Sequence, residues 1–310
     1  MRILIAPLNW GLGHASRCVP LIERLLADGH EVVLGGDGES LTLLRKHFPS
    51  LSVLPLAPLT LRYSLGSRQV VAMLRALPRI ILSSWHDHRL LTNHLRYEQV
   101  DQIISDNRFG LWSRKTHSVY MTHQLTIALP RPWRWLEPLV GWMHRRIIRR
   151  YDECWIPDLA DSLGLAGRLS HPAQLPHNAK YIGVLSRFSA HTYQPDHTYS
   201  VVAVLSGLEP QRTIFEQHIV TRWQDSGEQV LIIRGKMQAP PTVTHHRNIT
   251  FVPWMDDQHL AAYLLGAKRI ICRSGYSSLM DMHALGVLSR VEWHPTPGQP
   301  EQQYLSRLHS

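Results

Sequence analysis

One stretch of the sequence, Ile270 to Gly286, carries residues suited to binding a nucleotide. It reads as a buried strand, a tight turn at Arg273, Ser274 and Gly275, and then a helix. The free backbone amides at a helix start, together with the helix dipole, favour an anion such as phosphate. Further along, Asp281 could accept hydrogen bonds from the two hydroxyls of a ribose. The stretch indicates a nucleotide-sugar site, although an ordinary capped helix explains the glycine and serines equally well.

A second turn of the same kind is predicted upstream. Ser206 and Gly207 follow an apolar strand and precede a helix. Arg187 and Arg212 supply the positive charge that a diphosphate needs. Two such turns with two arginines favour diphosphate binding more strongly than either turn does alone.

The first loop of the chain combines glycines with a histidine. Gly11 and Gly13 precede a helix in a near match to the dinucleotide-binding fingerprint, with Ser16 in place of the third glycine. His14 lies in the first turn of that helix, where the dipole disfavours its protonated form and suits it to act as a base. The alternative is an exposed loop histidine, since the chain contains 20 histidines.

Polar residues also follow two further predicted strands. Asp106 and Asn107 come after one strand, and His123 and Gln124 come after the next. The carboxyl ends of parallel strands meet at one crevice, so these side chains are expected to converge on His14. Asp106 is the second candidate for the base.

The elements that must position these residues alternate short apolar strands with longer helical patterns. This alternation is typical of parallel sheets in an α/β fold, and 310 residues favour two domains. The predicted domains are 1–157 and 181–310. The segment 158–180 is rich in Ser, Pro, His and Gly and lacks a period, so it is predicted to be the linker.

Composition limits the partners and the compartment. A net charge of +9 implies an anionic partner, namely nucleic acid, anionic lipid or a phosphorylated substrate. Cys18, Cys154 and Cys272 are few and odd in number, which favours buried thiols in a reducing compartment. No signal-peptide pattern and no apolar run of membrane-spanning length is found, so a cytoplasmic location is predicted. Two histidine pairs, His86 with His88 and His245 with His246, lack the spacing of a zinc site, and no metal site is predicted.

Residues 129–150 differ from the rest because tryptophans alternate with arginines. From Glu137 onward, apolar residues lie along one helical face with arginines beside them. This pattern predicts a helix in the headgroup layer of an anionic membrane. An inter-domain helix or an RNA-binding stripe is the alternative.

Seven motifs taken together carry a family resemblance: NWGLGH, THQ, GVLSR, SGLEPQRT, VPWMDD, CRSGYSSLMD and PTPGQPEQQYL. The chain resembles glycosyltransferases of the GT-B fold, closest to the MurG-like group that uses UDP-sugars and has a family 28-like C-terminal domain. The resemblance covers most of the chain and is strongest over 181–305. It implies an α/β protein with two Rossmann-like domains facing a cleft, in which the second domain binds the donor and the first binds the acceptor.

The resemblance also implies roles for individual residues. The donor residues are Arg187, Ser206, Gly207, Arg212, Arg273, Ser274, Gly275, Asp281, Gln302 and Gln303. Of these, Gln302 and Gln303 read the sugar hydroxyls, and Asp281 stands where the family has a glutamate. On the acceptor side are Gly11, Gly13, His14, Asn107, His123 and Gln124, and the His-Gln pair lacks the glutamate of the family's motif.

The implied reaction is an inverting transfer without metal or cofactor, in which His14 or Asp106 deprotonates the acceptor hydroxyl. The acceptor is unknown, and a lipid-linked one is a candidate. Family members usually continue through further helices after the two glutamines, so the sequence is expected to be truncated or a shortened relative.

Three other readings are open. A nucleotide-sugar hydrolase or epimerase could use the same donor domain. An NAD-dependent oxidoreductase accounts for the first loop but not for the second domain. A non-enzymatic basic module that binds membrane or RNA accounts for residues 129–150. The transferase is favoured, with no nucleic-acid partner expected.

Overall fold

The computed structural model describes residues 1–58, 69–161, 163–189, 191–207, 209–237 and 239–310. The chain divides into two compact units, Met1–Leu185 and Ser186–Ser310. Each unit is an α/β structure built around one mostly parallel sheet.

The first unit contains a seven-stranded parallel sheet in the order β3-β2-β1-β4-β5-β6-β7. Its strands are short, and β1, β2, β4 and β5 are buried along most of their length, as expected for a sheet that is covered on both faces. They span β1 Arg2–Pro7, β2 Glu31–Gly36, β3 Ser52–Pro55, β4 Gln102–Asp106, β5 His117–Met121, β6 Glu153–Ile156 and β7 Ala179–Tyr181.

The α-helices of this unit are α1 Gly13–Ala27, α2 Gly38–His47, α3 Gln69–Tyr97 and α4 Glu137–Ile148. Short 3-10 helices span Arg131–Leu136 and Gly167–Leu169. The chain moves one way across the sheet from β1 to β3 and the other way from β3 to β7. Right-handed crossovers therefore place α1 and α2 on one face, and α3 and α4 on the other.

Packing and register agree with this placement of α3 and α4. Leu91 of α3 packs in a cluster with Leu4 and Ile103, and α4 packs in a cluster with Tyr120 and Cys154. Leu4 is paired with Ile103, and Tyr120 with Cys154, so each pair shares a face. Ser105, two residues after Ile103, is paired with Tyr120, so both clusters lie on one face of the sheet.

The predicted linker 158–180 lies inside the first unit, so the boundary differs from the prediction. The buried Asp158 carboxylate accepts hydrogen bonds from the amides of Leu165 (2.7 Å) and Ala166 (3.0 Å) and from the Ser170 hydroxyl (2.6 Å). The segment then ends in β7, which pairs with β6. One carboxylate organises the loop without any hydrophobic period, and this is why the sequence pattern suggested a linker.

The second unit contains a six-stranded sheet in the order β10-β11-β9-β8-β12-β13, with β10 antiparallel to β11. Its strands are β8 Val201–Val204, β9 Val230–Ile233, β10 Thr244–His246, β11 Ile249–Val252, β12 Arg269–Cys272 and β13 Val291–Trp293. Its helices are α5 Gln211–Trp223, α6 Asp257–Gly266, α7 Tyr276–Ala284 and α8 Pro300–Leu308, with a 3-10 turn at Leu288–Arg290. Buried residues of β8, β9 and α5 form its core.

Each sheet has a point at which the strand order reverses. In the first unit this point lies between β1 and β4, and in the second it lies between β8 and β12. Open α/β sheets bind ligands beyond the carboxyl ends of the strands at such a point. Most of the residues singled out from the sequence follow these four strands.

Two further expectations concern the whole chain. All three cysteines are buried and free, as the sequence predicted. Among the described residues, no helix is long and apolar enough to cross a membrane.

Candidate active-site residues in the two units

A histidine and a carboxylate meet at the switch point of the first unit. His14 lies in the first turn of α1, directly after the loop that follows β1, and Asp106 ends β4. Pro7 and Asp106 are paired in the sheet, which brings the two strand ends level. His14 Nδ1 lies 3.1 Å from Asp106 Oδ1, and the carboxylate is completely buried. The two predicted bases thus form one hydrogen-bonded pair.

A buried arginine that sequence reasoning missed completes this cluster. Arg17 Nε donates to Asp106 Oδ2 at 2.7 Å, and Arg17 Nη2 also contacts Oδ1. The same guanidinium lies 2.9 Å from His14 Nδ1 through Nη2 and 3.1 Å from His123 Nδ1 through Nη1. The i, i+3 spacing of His14 and Arg17 on one helix face was the available signal.

The charges around Asp106 keep its carboxyl group ionised. Burial raises the pKa of the Asp106 carboxyl, but Arg17 and His14 lower it by more, so its pKa lies well below the ordinary value. An ionised carboxylate only accepts hydrogen bonds. In the tautomer that carries its proton on Nδ1, His14 donates to Asp106 and the Nε2 lone pair is the basic site, whereas the other tautomer accepts from Arg17 Nη2 at Nδ1.

The other predicted acceptor-side residues lie just before His14, directly after Asp106, or just after β5. Gly11 has φ +79°, a conformation that favours glycine. Asn107 also has positive φ, and its Oδ1 accepts from the Tyr120 hydroxyl at 2.9 Å. His123 is buried against Arg17. Gln124 is half-buried, and its backbone N–H donates to Thr122 Oγ1. Gly13 is the first residue of α1.

A second buried arginine, Arg108, holds the carboxylate of Asp37, which directly follows β2. Arg108 donates to Asp37 Oδ1 at 2.8 Å and to Asp87 Oδ2 at 2.9 Å. Asp37 also accepts from the Asn9 amide at 3.0 Å. A dinucleotide-binding fingerprint needs an acidic residue that faces the ribose of its ligand. The Asp37 carboxylate is instead bound by Arg108 and Asn9 of the protein.

The two predicted turns of the second unit lie side by side at its switch point, because β8 and β12 are neighbours. Gly207 has φ +96°, which explains the glycine there. Gly275 has an ordinary φ of −77°, and a Cβ placed on it would meet no atom within 4 Å. Neither backbone conformation nor crowding in the protein requires glycine at 275, so its open side suits the close approach of a ligand.

Arg273, between β12 and this turn, is a buried cation without a carboxylate partner among the described residues. Its Nη1 donates to the Pro295 carbonyl at 3.1 Å, and its Nη2 donates to the Gln211 carbonyl at 3.0 Å. The guanidinium also lies 4.0 Å from the ring centroid of Phe215. Burial lowers the pKa of Arg273 to about 10, so the group stays positively charged at neutral pH.

Arg187 and Asp281 are partners of each other in the second unit. Arg187 lies 2.8 Å from Asp257 Oδ1 through Nη1 and 3.4 Å from Asp281 Oδ2 through Nε. The Ser186 hydroxyl donates to Asp281 Oδ1 at 2.6 Å. Burial raises the pKa of the Asp281 carboxyl, and Arg187 opposes that rise. Two of the predicted donor residues therefore hold the start of the unit against α6 and α7.

Three of the remaining predicted donor residues, Arg212, Ser274 and Gln302, also have protein partners. Arg212 Nε donates to Glu209 at 3.0 Å, and its Nη1 donates to the Gly235 carbonyl at 3.1 Å. Ser274 Oγ donates to the Gln302 carbonyl at 2.8 Å, which ties the turn to α8. Gln302 Oε1 accepts from the Thr296 amide at 2.8 Å, whereas Gln303 is exposed.

Among the described residues, no group of three or more His, Cys, Asp or Glu side chains is arranged to hold a metal ion.

Comparison with known sequences gives relatives that extend over nearly the whole chain. No family model matches it. A protein from Methanosarcina acetivorans named as an uncharacterized glycosyltransferase is 23% identical over 317 residues, which cover 98% of this chain and 82% of the relative. A protein of the same description from Methanosarcina mazei is 24% identical over 326 residues, with the same coverage of 98% and 82%.

Comparison with solved structures identifies the fold. The spinosyn rhamnosyltransferase SpnG complexed with thymidine diphosphate matches with a TM-score of 0.57 at 15% identity, covering 99% of this chain and 90% of that one. MurG from Acinetobacter baumannii matches at 0.54 and 12%, covering 99% and 82%. UGT2 from Phytolacca americana, complexed with UDP-2-fluoro-glucose and pterostilbene, matches at 0.56 and 15%, covering 99% and 82%. The GT-B fold and the resemblance to its glycosyltransferases are confirmed.

Proposed function

We propose that this protein is a glycosyltransferase that moves a sugar from a UDP-sugar to an acceptor hydroxyl with inversion at the anomeric carbon. The names of the full-length relatives and the GT-B fold support the general class. The observation that carries the proposal is the hydrogen-bonded pair of His14 and Asp106 at the switch point of the first unit. Such a pair can remove a proton from a hydroxyl as it becomes a nucleophile.

The proton transfer uses the free side of the imidazole. His14 Nε2 takes the proton of the acceptor hydroxyl while the acceptor oxygen forms a bond to the anomeric carbon. The bond between that carbon and the phosphate oxygen breaks, and UDP leaves with the electron pair. Direct displacement of this kind inverts the anomeric centre. Asp106 holds the ring in the required orientation and stabilises the imidazolium that forms.

Arg17 contacts both residues of this pair. Its positive charge balances the Asp106 carboxylate, so His14 faces an ion pair of no net charge instead of a lone buried anion. Its contacts with Asp106 and with His14 fix the position of the carboxylate beside the imidazole. Arg17 is therefore proposed as a positioning residue.

The second unit is proposed to hold the donor. The turns at Ser206-Gly207 and Ser274-Gly275 present backbone amides at a sheet edge, and the uncompensated charge of Arg273 lies beside one of them. These groups suit the diphosphate and the charge that develops on leaving UDP. No metal or cofactor is part of the proposal.

Further contacts follow from the family resemblance and stay proposals. Asp281 is assigned to the ribose and Gln302 and Gln303 to the sugar, with Arg187 and Arg212 near the diphosphate. In the first unit, Gly11, Gly13, Asn107, His123 and Gln124 are assigned to the acceptor. The donor sugar and the acceptor are not identified, and the cytoplasmic location stays a prediction.

Two measurements test the proposal. Calorimetric titration with UDP, thymidine diphosphate and NAD is expected to give binding of a nucleoside diphosphate and none of NAD. Nucleotide release from a panel of nucleotide-sugars is then measured with and without candidate acceptors. Release that depends on an acceptor supports the transferase, whereas equal release without one identifies a hydrolase. NAD binding alone would overturn the donor assignment.

A further inference from the structure

One lysine at the carboxyl edge of the second sheet has no role in the site described above. Lys236 lies three residues after the buried strand β9. It is half-buried, whereas the other four lysines of the chain are exposed. A lysine packs its aliphatic stem against protein and leaves the ammonium group at the surface. The Lys236 ammonium is therefore expected to lie where a ligand can reach it.

Backbone contacts fix the loop that carries Lys236. The Lys236 N–H donates to the carbonyl of Pro253, which follows β11, at 2.7 Å. Arg212 Nη1 donates to the Gly235 carbonyl at 3.1 Å, which ties the loop to the first turn of α5. Since β9 lies between β11 and β8, this loop lies beside the loops that follow both neighbouring strands.

Gly235 brings the loop against the turn that follows β8. Its φ of +66° favours glycine, and a Cβ placed on it would lie 2.6 Å from the Leu205 carbonyl oxygen. Leu205 directly precedes the turn at Ser206 and Gly207. Lys236 is the residue after Gly235, and consecutive Cα atoms are about 3.8 Å apart. The flexible stem of Lys236 is therefore long enough to bring its ammonium group to this turn.

Three arginines of the second unit have their charge offset by carboxylates. The pairs are Arg187 with Asp257, Arg212 with Glu209, and Arg234 with Glu216. Lys236 and Arg273, in contrast, have no carboxylate within salt-bridge distance in the part of the chain that the structure describes. Lys236 follows β9 and Arg273 follows β12, and β8 lies between these strands. The Ser206-Gly207 turn thus has an unopposed cation on each side.

We propose that the Lys236 ammonium binds the diphosphate of the nucleotide donor, on the side of the turn opposite Arg273. This inference rests on the proposed function, because it takes the Ser206-Gly207 turn as part of the donor site. A diphosphate over the turn would have backbone N–H groups beneath it and a cation on either side. Lysine suits this position, because its compact ammonium has three rotatable donors and needs no fixed orientation.

The same two cations would also act on the leaving group. When the bond between the anomeric carbon and the phosphate oxygen breaks, the electron pair stays on UDP, and the negative charge of UDP increases. Lys236 and Arg273 can stabilise that charge without any proton transfer. Loss of Lys236 is therefore expected to lower the turnover as well as the affinity for the nucleotide.

The test is calorimetric titration of the full chain with UDP and with thymidine diphosphate. Lys236→Met removes the charge, keeps an unbranched stem, and is expected to weaken binding about 10-fold, the scale of a hydrogen bond between charged groups. Lys236→Arg keeps the positive charge and is expected to stay within about three-fold of the wild type.

The matched control is Lys268→Met. It also removes one lysine charge, but Lys268 is exposed and directly precedes β12, at the opposite edge of the sheet. It is expected to change the affinity by less than about two-fold, because solvent and salt screen a distant exposed charge. An equal loss in Lys236→Met and Lys268→Met would show an effect of net charge alone and would overturn the proposal.

Uridine separates phosphate binding from an effect on the shape of the site. It has no phosphate, so Lys236→Met is expected to bind uridine as the wild type does, which ligand-detected NMR can measure. An equal loss of affinity for uridine and for UDP would overturn the proposal.

Failure of this proposal can be distinguished from failure of the proposed function. If the wild type binds a nucleoside diphosphate and Lys236→Met binds it equally well, the role of Lys236 is overturned and the donor site stands. If the wild type binds neither UDP nor thymidine diphosphate, the donor site and the role of Lys236 are overturned together.

Discussion

The switch points of the two sheets are alike in topology and opposite in charge balance. In the first unit, the buried guanidinium of Arg17 is matched by the Asp106 carboxylate. In the second unit, the buried guanidinium of Arg273 faces carbonyl groups and a phenylalanine ring. A balanced cluster suits a group that must gain and lose a proton, whereas an unbalanced cation suits an anionic ligand.

Gly275 of the second site differs from Gly11 of the first site in the same sense. Gly11 in the first unit has positive φ, so its backbone alone accounts for the glycine. Gly275 in the second unit has an ordinary φ and open space at its Cβ position. Under the proposed function, proton transfer belongs to the first unit and anion binding to the second, and four measurements test this division.

The largest effect is expected for His14→Ala. Loss of a general base costs roughly 10²–10⁴ in rate, so acceptor-dependent nucleotide release should fall about 1,000-fold while the affinity for UDP stays unchanged. Steady-state kinetics and calorimetry measure the two quantities. The exposed His177→Ala serves as the control and should retain full activity. A parallel loss of UDP affinity in His14→Ala would contradict the separation of roles.

The next effect concerns stability in acid. Burial lowers the pKa of His144 in the first unit to about 4, from 6.5. The unfolded chain takes up this proton near pH 6.5 and the folded chain only near pH 4. The contribution of His144 to the free energy of unfolding is therefore fully present above pH 6.5 and is lost as the pH falls toward 4. The loss amounts to about 3 kcal/mol at 1.36 kcal/mol per pKa unit.

His144→Gln should remove that part of the pH dependence while a polar group still faces the Tyr120 hydroxyl. Denaturant unfolding at pH 7 and at pH 4 measures the difference. His294→Gln in the second unit is the control, because Glu292 lies 2.8 Å from His294 and opposes the lowering of its pKa by burial. If both variants change the difference in unfolding free energy between pH 7 and pH 4 equally, the first unit is no more sensitive to acid than the second.

Arg273→Gln should weaken UDP binding about 10-fold, since it removes a positive charge near the diphosphate at the effective dielectric of a partly buried site. Glutamine keeps two N–H donors for the carbonyl groups that Arg273 contacts. Calorimetry on folded protein gives the affinity. Arg17→Gln removes an equally buried guanidinium from the first unit and should leave UDP affinity within about two-fold. Equal weakening by both substitutions would indicate a general effect of net charge.

The smallest effect on stability is expected for Gly275→Ala. The position tolerates a Cβ, and the preference for glycine at a helix N-cap opposes the entropic gain from alanine, so the free energy of unfolding should change by less than about 1 kcal/mol. UDP affinity should nevertheless fall several-fold if the diphosphate approaches the Cα closely. Thermal unfolding with and without UDP separates the two quantities. Unchanged affinity would place the diphosphate away from this turn.

The sequence determined the local parts of this protein. Strand and helix alternation follows from hydrophobic periods and turn residues that lie next to each other in the chain. The βα turns at Gly13 and Gly275 were therefore predictable, as was the convergence of His14 and Asp106 at one sheet edge. The GT-B fold was implied by the family resemblance that the seven motifs carry together, and it is confirmed.

Tertiary structure alone decided which charges are balanced. Arg17 and Asp106 are 89 residues apart in sequence, and the register of β1 and β4 brings them together. In the same way, Asp158 organises a segment without a period, and Arg187 is held by the carboxylates of Asp257 and Asp281, which the sequence had not linked to it. Electrostatic interactions depend on distance and burial, which the order of residues does not contain until the sheets have formed.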